Sequence, residues 1–332
     1  MISIAVFSTK SYDREFFNKI GSEAPVRLKF FDVPLNEDTA GLTQGFDGVC
    51  VFVNDNLSEP VIKTLAANGI GLIALRCAGF NNVDLEAAQR ANIKVMRVPA
   101  YSPEAVAEHA LALALTLNRK THKAFNRIRE GNFSLERLIG FDLHNKTVGV
   151  IGTGKIGAHF ARIMKCMGCE VLAYDLYPSE TLKDIGVQYT DLDTLFKSAR
   201  LISLHCPLNE STHHLINRES FSKMQDGVML INTSRGALID TADALEALKS
   251  GRLGYLGIDV YEQEEQLFFQ DLSEHIIQDD LITRLISFPN VLITAHQGFL
   301  TSEALTEIAS TTLKNITDYA EGIVSANQVL PS

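Results

Sequence analysis

The loop Gly152-Thr153-Gly154-Lys155-Ile156-Gly157 follows the apolar run 147–151 and opens an amphipathic stretch. A second apolar run then ends in Asp175. Strand, glycine loop, helix and distal acid in this order confine the segment to a βαβ unit that binds a dinucleotide. The first glycine permits the tight turn, the second lets the backbone approach a pyrophosphate, and the third lets helix pack on strand. The helix then offers that anion its unpaired N–H groups and the positive end of its dipole. Asp175 is placed to accept from the adenosine ribose hydroxyls and to repel a 2′-phosphate. Leu176-Tyr177-Pro178 brings no arginine to welcome one, so NAD is expected over NADP. The loop begins at residue 152 of 332, and a complete unit must precede it.

A chain of this length can hold two domains, each with its own core. Its 46% hydrophobic and 21% charged residues are those of a globular protein. A formal net charge of −10, with no local Lys/Arg cluster, argues against nucleic acid or an anionic membrane as the main partner. Residues 1–8 are too short and too uncharged for a secretory signal and read as a first strand. The longest apolar stretch, near 111–117, is far below membrane-spanning length. Five cysteines at irregular spacing suit reduced thiols in a cytoplasmic protein. Cys166-Met167-Gly168-Cys169 is a CxxC without a second pair, placed where a helix ends, and both thiols are expected to be buried bystanders.

Before the loop, the short apolar runs 2–7, 26–31, 48–53, 70–75 and 93–98 alternate with helix-favouring stretches such as 59–68 and 83–92. This is the pattern of buried parallel strands in a doubly wound layer. Pro99-Ala100-Tyr101-Ser102-Pro103 breaks it as a hinge, with Ser102 as N-cap and Pro103 at the first helical position. The next helix carries Val106, Ala110, Leu113, Ala114 and Leu117, and its all-round apolar content predicts burial between domains or subunits. From Thr147 the strands 147–151, 170–174, 201–205, 228–233, 253–259 and 291–296 fill a Rossmann sheet. Thr301-Ser302-Glu303 then caps a last helix to about residue 321, with no further sheet expected after it. The predicted class is α/β with two doubly wound parallel-sheet domains. A Rossmann NAD domain, 102–298, is inserted in a flavodoxin-like outer substrate domain, 1–101 plus 299–332.

Ligands of open α/β sheets sit beyond the carboxyl ends of the strands. The polar residues expected there are Asn232-Thr233-Ser234-Arg235-Gly236, Asp259-Val260-Tyr261-Glu262-Gln263-Glu264 and Thr294-Ala295-His296-Gln297-Gly298. Hydride chemistry on a 2-oxo acid needs a cation to hold the carboxylate, which suits the arginine fork. It needs a proton donor titrating near neutrality, which suits histidine, and a carboxylate to orient that imidazole. Arg235 and His296 fit the first two roles, whereas Glu262, Glu264 and Glu265 are equivalent for the third by chemistry alone. Taken singly, Arg235 reads as an ion-pair residue and His296 as a core histidine. Their convergence at the strand ends of one sheet points to a site. His205, before Cys206-Pro207, reads as structural or as a cofactor-edge residue. His109, His122, His213 and His214 show no metal spacing with acids or cysteines, and no catalytic metal is expected.

Longer segments extend this reading. They are Arg76-Cys77-Ala78-Gly79-Phe80-Asn81-Asn82-Val83-Asp84, residues 98–109, 150–157, 232–240 and 259–264, His205-Cys206-Pro207-Leu208 and His296-Gln297-Gly298-Phe299. With them the chain resembles, almost end to end, the D-isomer-specific 2-hydroxyacid dehydrogenases, most closely their fermentative D-lactate branch. The resemblance implies a catalytic set of Arg235, Glu264 and His296, with Glu262 and Glu265 as flanking acids. It implies that Gly152, Gly154, Lys155, Ile156, Gly157, Asp175, Cys206, Pro207, Thr212, Thr233, Ser234, Arg235 and Asp259 line the NAD site. It implies that Ala78, Gly79 and Tyr101 face the substrate carboxylate, with Arg235 and His296, and that Phe52 and Phe299 bound a small apolar pocket. Thr212 departs from the Asn that relatives often carry, and Gly298 from a common Ala. The expected reaction is reversible reduction of pyruvate to D-lactate by NADH, in a homo-oligomer, dimer or tetramer, that closes about hinges at Pro99 and Phe299. A dehydrogenase for a bulkier 2-oxo acid and a non-catalytic NAD sensor are the other readings of this scaffold.

Overall fold

The computed structural model describes residues 1–22, 24–264 and 267–331. It divides into two compact units, Met1–Ser102 with Phe299–Ser332, and Pro103–Gly298.

The sheet of the first unit runs in the order Gln328–Val329, Lys94–Met96, Leu72–Leu75, Gly48–Val51, Ile2–Val6 and Val26–Phe30. The five strands from the N-terminal part are parallel, in the 2-1-3-4-5 order of a flavodoxin-like sheet. Ile2–Val6, Gly48–Val51 and Leu72–Leu75 are buried along their length, as apolar central strands should be. Val26–Phe30 departs from this because it is the edge strand, and its Arg27 and Lys29 alternate outward with the partly buried Val26, Leu28 and Phe30. The expectation of no sheet after the last helix is corrected by Gln328–Val329, which pairs antiparallel with Met96 and Val95. A two-residue strand carries no readable period. The helix Ser302–Ala320 is capped by the Thr301 hydroxyl, which accepts from Ala304 N–H. It packs on the helix Ser11–Gly21 and on Leu72–Leu75, setting Ala309, Leu313 and Ile316 against Ile4, Val6 and Phe17.

The second unit holds a parallel sheet ordered Val291–Ile293, Leu253–Ile258, Val228–Asn232, Leu201–Leu204, Thr147–Ile151, Glu170–Tyr174 and Gln188–Tyr189. The last of these is an edge strand too short to have been read from pattern. Strand order reverses between Thr147–Ile151 and Leu201–Leu204, the switch point at which such sheets bind ligands. Apolar layers cover both faces, one around Phe160 and Met164, the other around Phe196, Phe221 and Leu245. The helix Pro103–Arg119 is apolar on the face that it turns to this sheet. Its Ala107, Ala110, Leu113, Ala114 and Leu117 pack inside this unit, on the helix Lys155–Cys166 and on Val228–Asn232 and Leu253–Ile258.

The CxxC expectation holds for one residue only. Cys169 is buried and its thiol donates to Leu143 O (3.3 Å), whereas Cys166 is exposed at the helix end. All five cysteines are free. No helix among the described residues is long and apolar enough to cross a membrane.

Candidate active site

Gly152 follows directly on the strand Thr147–Ile151 with φ +90°, and a Cβ there would lie 2.5 Å from Cys206 N. A Cβ on Gly157 would collide with Gly152 O. Gly154 differs, because a Cβ there would meet nothing within 4 Å. It is the N-cap of the helix Lys155–Cys166, and no side chain caps the first-turn N–H groups. The protein's own packing thus demands two of the glycines, while the third leaves an open cradle above free N–H donors. An approaching pyrophosphate requires that combination.

Around this cradle Asp175 Oδ2 accepts from Thr153 N (2.5 Å) and Thr153 Oγ1 (3.0 Å), and Oδ1 accepts from Tyr177 N (2.9 Å). Lys155 is exposed and Ile156 half-buried at the helix start. Buried Cys206 and exposed Pro207 follow the next strand, and Ser234 Oγ donates to Cys206 O (2.7 Å). Thr233 Oγ1 is buried and has no hydrogen-bond partner among the described residues. A bound ligand can satisfy such an orphan hydroxyl. Thr212 instead closes its own turn, its hydroxyl donating to Pro207 O (2.7 Å) and accepting from Asn209 N (2.8 Å). The free N–H groups, the open Gly154 and the orphan Thr233 together fit a dinucleotide.

His205 keeps part of its surface open, but enclosure of its ring beside Phe160 and Ser203 Oγ (2.9 Å) pushes it down to about 3. It is therefore neutral near pH 7, and it lies against Gly152 and Gly157 of the loop.

His296 stands beyond the strand Val291–Ile293 with φ +52°, a left-handed conformation uncommon outside glycine. Its N–H donates to Asp259 O (2.7 Å), and its Nδ1 lies 2.8 Å from Glu264 Oε1. Glu264 Oε2 accepts from Tyr261 N (2.9 Å), so both oxygens of the carboxylate are held. With Nδ1 engaged, Nε2 is the nitrogen left to address a substrate. Phe269, at φ +65°, lies with its ring 6.1 Å from that of His296, a neighbour that sequence reasoning missed. Of the acids left open by chemistry, Glu264 is the one on His296 among the described residues. Glu262 bonds to His214 Nε2 (2.6 Å) instead, and Glu265 lies outside the described residues.

Arg235 follows the strand Val228–Asn232 and is half-buried. Buried Asn232 fixes its turn, Nδ2 donating to Arg235 O (2.8 Å) and Oδ1 accepting from Ser234 N (3.0 Å). The guanidinium donates to Ser234 O (2.7 Å) and forms no ion pair among the described residues. Its remaining N–H groups suit a substrate carboxylate.

Asp259 is buried, and its own chain occupies both of its oxygens. Oδ1 accepts from Thr294 Oγ1 and from Gln297 N (2.9 Å), and Oδ2 accepts from Gly298 N (2.8 Å). His109 Nε2 lies 3.2 Å from Oδ1. Burial pushes this carboxyl up, but bonds from His109 and Thr294, the His109 charge and the Gln297 N–H outweigh it and hold the group below its ordinary value. Asp259 thus anchors the turn that carries His296. A Cβ on Gly298 would approach Asp259 Oδ2 to 3.0 Å, a crowding that glycine avoids at this position.

The first unit gathers the remaining residues. The rings of Phe52 and Phe299 are 5.6 Å apart, with Tyr101 and Tyr12 at 6.4 and 6.5 Å from Phe299. Phe52 N donates to Asp55 Oδ2 (2.6 Å), its carbonyl accepts from Asn82 Nδ2 (2.9 Å), and Arg76 lies over its ring at 4.9 Å. Buried Arg76 in turn bonds Asp13 Oδ1 (3.3 Å) and Ser8 O (2.9 Å). Ala78 and Gly79 form the turn after Leu72–Leu75, their carbonyls accepting from Arg97 Nη1 (2.9 Å) and Cys77 Sγ (3.3 Å). Tyr12, Asp13 and Asp55 were not foreseen, because nothing in their local sequence marks a support role.

A family model for the NAD-binding domain of D-isomer specific 2-hydroxyacid dehydrogenases matches residues 111–298. The chain is 55% identical over 331 residues to a 2-hydroxyacid dehydrogenase homolog of Haemophilus influenzae, covering 100% of each. It is 52% identical over 329 residues to a D-lactate dehydrogenase of Escherichia coli, covering 99% of this chain and 100% of the other. The apo-structure of D-lactate dehydrogenase from Escherichia coli superposes with a TM-score of 0.92 at 50% identity, over 99% of this chain and 100% of that one.

Proposed function

Since the chain belongs to the D-isomer specific 2-hydroxyacid dehydrogenase family, we propose that it reduces pyruvate reversibly to D-lactate with NADH. The observation that carries this reading is the His296 Nδ1–Glu264 Oε1 contact of 2.8 Å, made by a histidine whose Nε2 is left for chemistry. The N–H groups above Gly154 would hold the pyrophosphate, Asp175 the adenosine ribose and Thr233 the orphan-hydroxyl contact. The bound cofactor supplies the hydride that reaches the carbonyl carbon. Arg235 holds the carboxylate with its fork and withdraws charge from the adjoining carbonyl. His296 gives its Nε2 proton to the carbonyl oxygen, and Glu264 steadies the imidazolium beforehand. One proton and one hydride convert the oxo acid to the hydroxy acid, and the reverse reaction returns both.

The same reading places the enzyme in the cytoplasm as a homo-oligomer. Five free cysteines support the compartment. Exposed Phe125, Ile128, Phe133, Leu135 and Ile139, all within one stretch of the second unit, support a self-associating surface. Light scattering on purified protein decides the subunit number. NADH oxidation with pyruvate, followed by chiral analysis of the product, decides the reaction. D-lactate is expected, and L-lactate or no turnover overturns the proposal.

A further inference from the structure

His213 and His214 lie far in sequence from Glu262, yet the fold brings this acid to them. The two imidazoles stack with centroids 4.0 Å apart and planes at 29°. His214 Nε2 lies 2.6 Å from Glu262 Oε1, and the ligand atoms of His213, His214 and Glu262 all fall within 4.8 Å of one another. His213 is exposed, while His214 and Glu262 are half-buried, so the cluster opens to solvent on one side. Behind it His214 Nδ1 faces Asp240 Oδ2 at 3.5 Å. A carboxylate on Nδ1 favours the tautomer that keeps Nε2 as a lone-pair donor, the arrangement found behind metal-bound histidines.

The backbone already holds these groups. His214 N donates to Ala237 O (2.8 Å), its carbonyl accepts from Asn217 Nδ2 (2.9 Å), and Glu262 Oε2 accepts from Thr241 Oγ1 (3.3 Å). Two imidazole nitrogens and one carboxylate oxygen are the donor set of borderline transition ions, with a fourth position left to water. Magnesium and calcium prefer all-oxygen shells and are a poor match.

We propose that His213, His214 and Glu262 form a binding site for one divalent transition ion of the zinc class, with Asp240 as the outer carboxylate. Binding exchanges the His214–Glu262 hydrogen bond for two metal–ligand bonds, adds a third from His213, and releases to solvent any proton held by the ligand nitrogens. No electron is transferred. The ion ties together the segment 212–217, the turn Gly236–Leu238 that follows Arg235, and the residue two positions before Glu264. It therefore stiffens the supports of two of the proposed catalytic side chains without touching the reacting atoms.

The test is calorimetric titration of EDTA-treated full-length protein with ZnCl2, alongside the variants His213→Ala and Glu262→Gln and a parallel MgCl2 titration. The wild type is expected to take up one equivalent per chain in the micromolar range. Each variant should lose at least about tenfold in affinity, given that one of three protein ligands is removed. Melting temperature should rise with zinc in the wild type and not in His213→Ala, whose exposed side chain the fold does not need. Equal zinc affinity in wild type and both variants overturns the proposal, because the metal then sits elsewhere, as on the Glu264–His296 pair. Absence of binding by the wild type, or magnesium binding as tight as zinc, overturns it as well.

Discussion

His109 Nε2 lies 3.2 Å from Asp259 Oδ1, and the same carboxylate accepts the backbone N–H groups of Gln297 and Gly298, the two residues after His296. A side chain on the helix Pro103–Arg119 thus fixes, through one buried acid, the left-handed turn that aims the imidazole. Replacing His109 by Ala is expected to cost about 1–3 kcal/mol of stability, the penalty for stripping a partner from a buried polar group.

The pH dependence follows from the same pair. Asp259 has a lower pKa folded than unfolded, where it is about 3.9. It therefore stabilises the fold above that unfolded value, and the contribution is lost as pH falls through the lower folded one. Without His109 the folded value moves up toward the unfolded one, so less stability is lost on acidification. Urea unfolding repeated from neutral pH into the acid range should show the deficit of His109→Ala relative to wild type narrowing as pH falls. Identical acid limbs would mean that His109 does not hold the charge on Asp259.

The glycines of the loop should separate by assay. Gly157→Ala forces a Cβ onto Gly152 O and should lower stability by about 1–3 kcal/mol, as overpacking does. Gly154→Ala meets no protein atom, so its melting temperature should stay near that of the wild type while NADH affinity falls by about tenfold or more. Thermal melts beside fluorescence titration with NADH check both. A Gly154 variant that binds NADH normally would show that the open cradle is not where the pyrophosphate lies.

His296→Gln removes the proton donor but keeps the size of the side chain. A drop in kcat of about 100- to 10,000-fold is expected, with NADH affinity unchanged. Glu264→Gln should fall by less, since an amide can still accept from Nδ1 without supplying charge. If pyruvate turnover survives His296→Gln within a few-fold, another group donates the proton.

Arg76 is buried beside Asp13 and above the Phe52 ring. Asp13→Asn leaves the guanidinium without its charge partner and should cost about 3–5 kcal/mol. Chemical denaturation measures this directly. A loss below about 1 kcal/mol would put the pair in the class of solvent-screened surface bridges.

Local features of the chain were legible, and features made by folding were not. Gly152, Gly154, Gly157 and Asp175 declare themselves because turn, cradle and ribose acid recur at short spacing along one βαβ unit. Glu264 could not be told from Glu262 by chemistry, since both are acids in the same short segment. Only the turn after Asp259 sends one to His296 and the other to His214. His109 carries no local mark of its role, because Asp259 and Thr294 reach it from distant strands. Val106–Leu117 was legible as apolar, but apolarity does not name the surface that covers it. Phe52 and Tyr101 were named through resemblance, and the partners that hold Phe52 (Asp55 and Asn82) meet it only in the folded chain.

The pairing of Gln328–Val329 with Val95 and Met96, beside the helix Ser302–Ala320, sets the order in which a growing polypeptide can mature. A ribosome releases residues 1–102 first, yet Ile4 and Leu72 lack the cover of Ala309, Leu313 and Ile316 until residue 302 and beyond have been translated. The stretch 103–298 is continuous and closes its own sheet, so it completes its fold earlier, as successive domains do during synthesis. The half that is made first therefore finishes last. Throughout elongation its open sheet edge and uncovered apolar face are what a nascent-chain chaperone would meet.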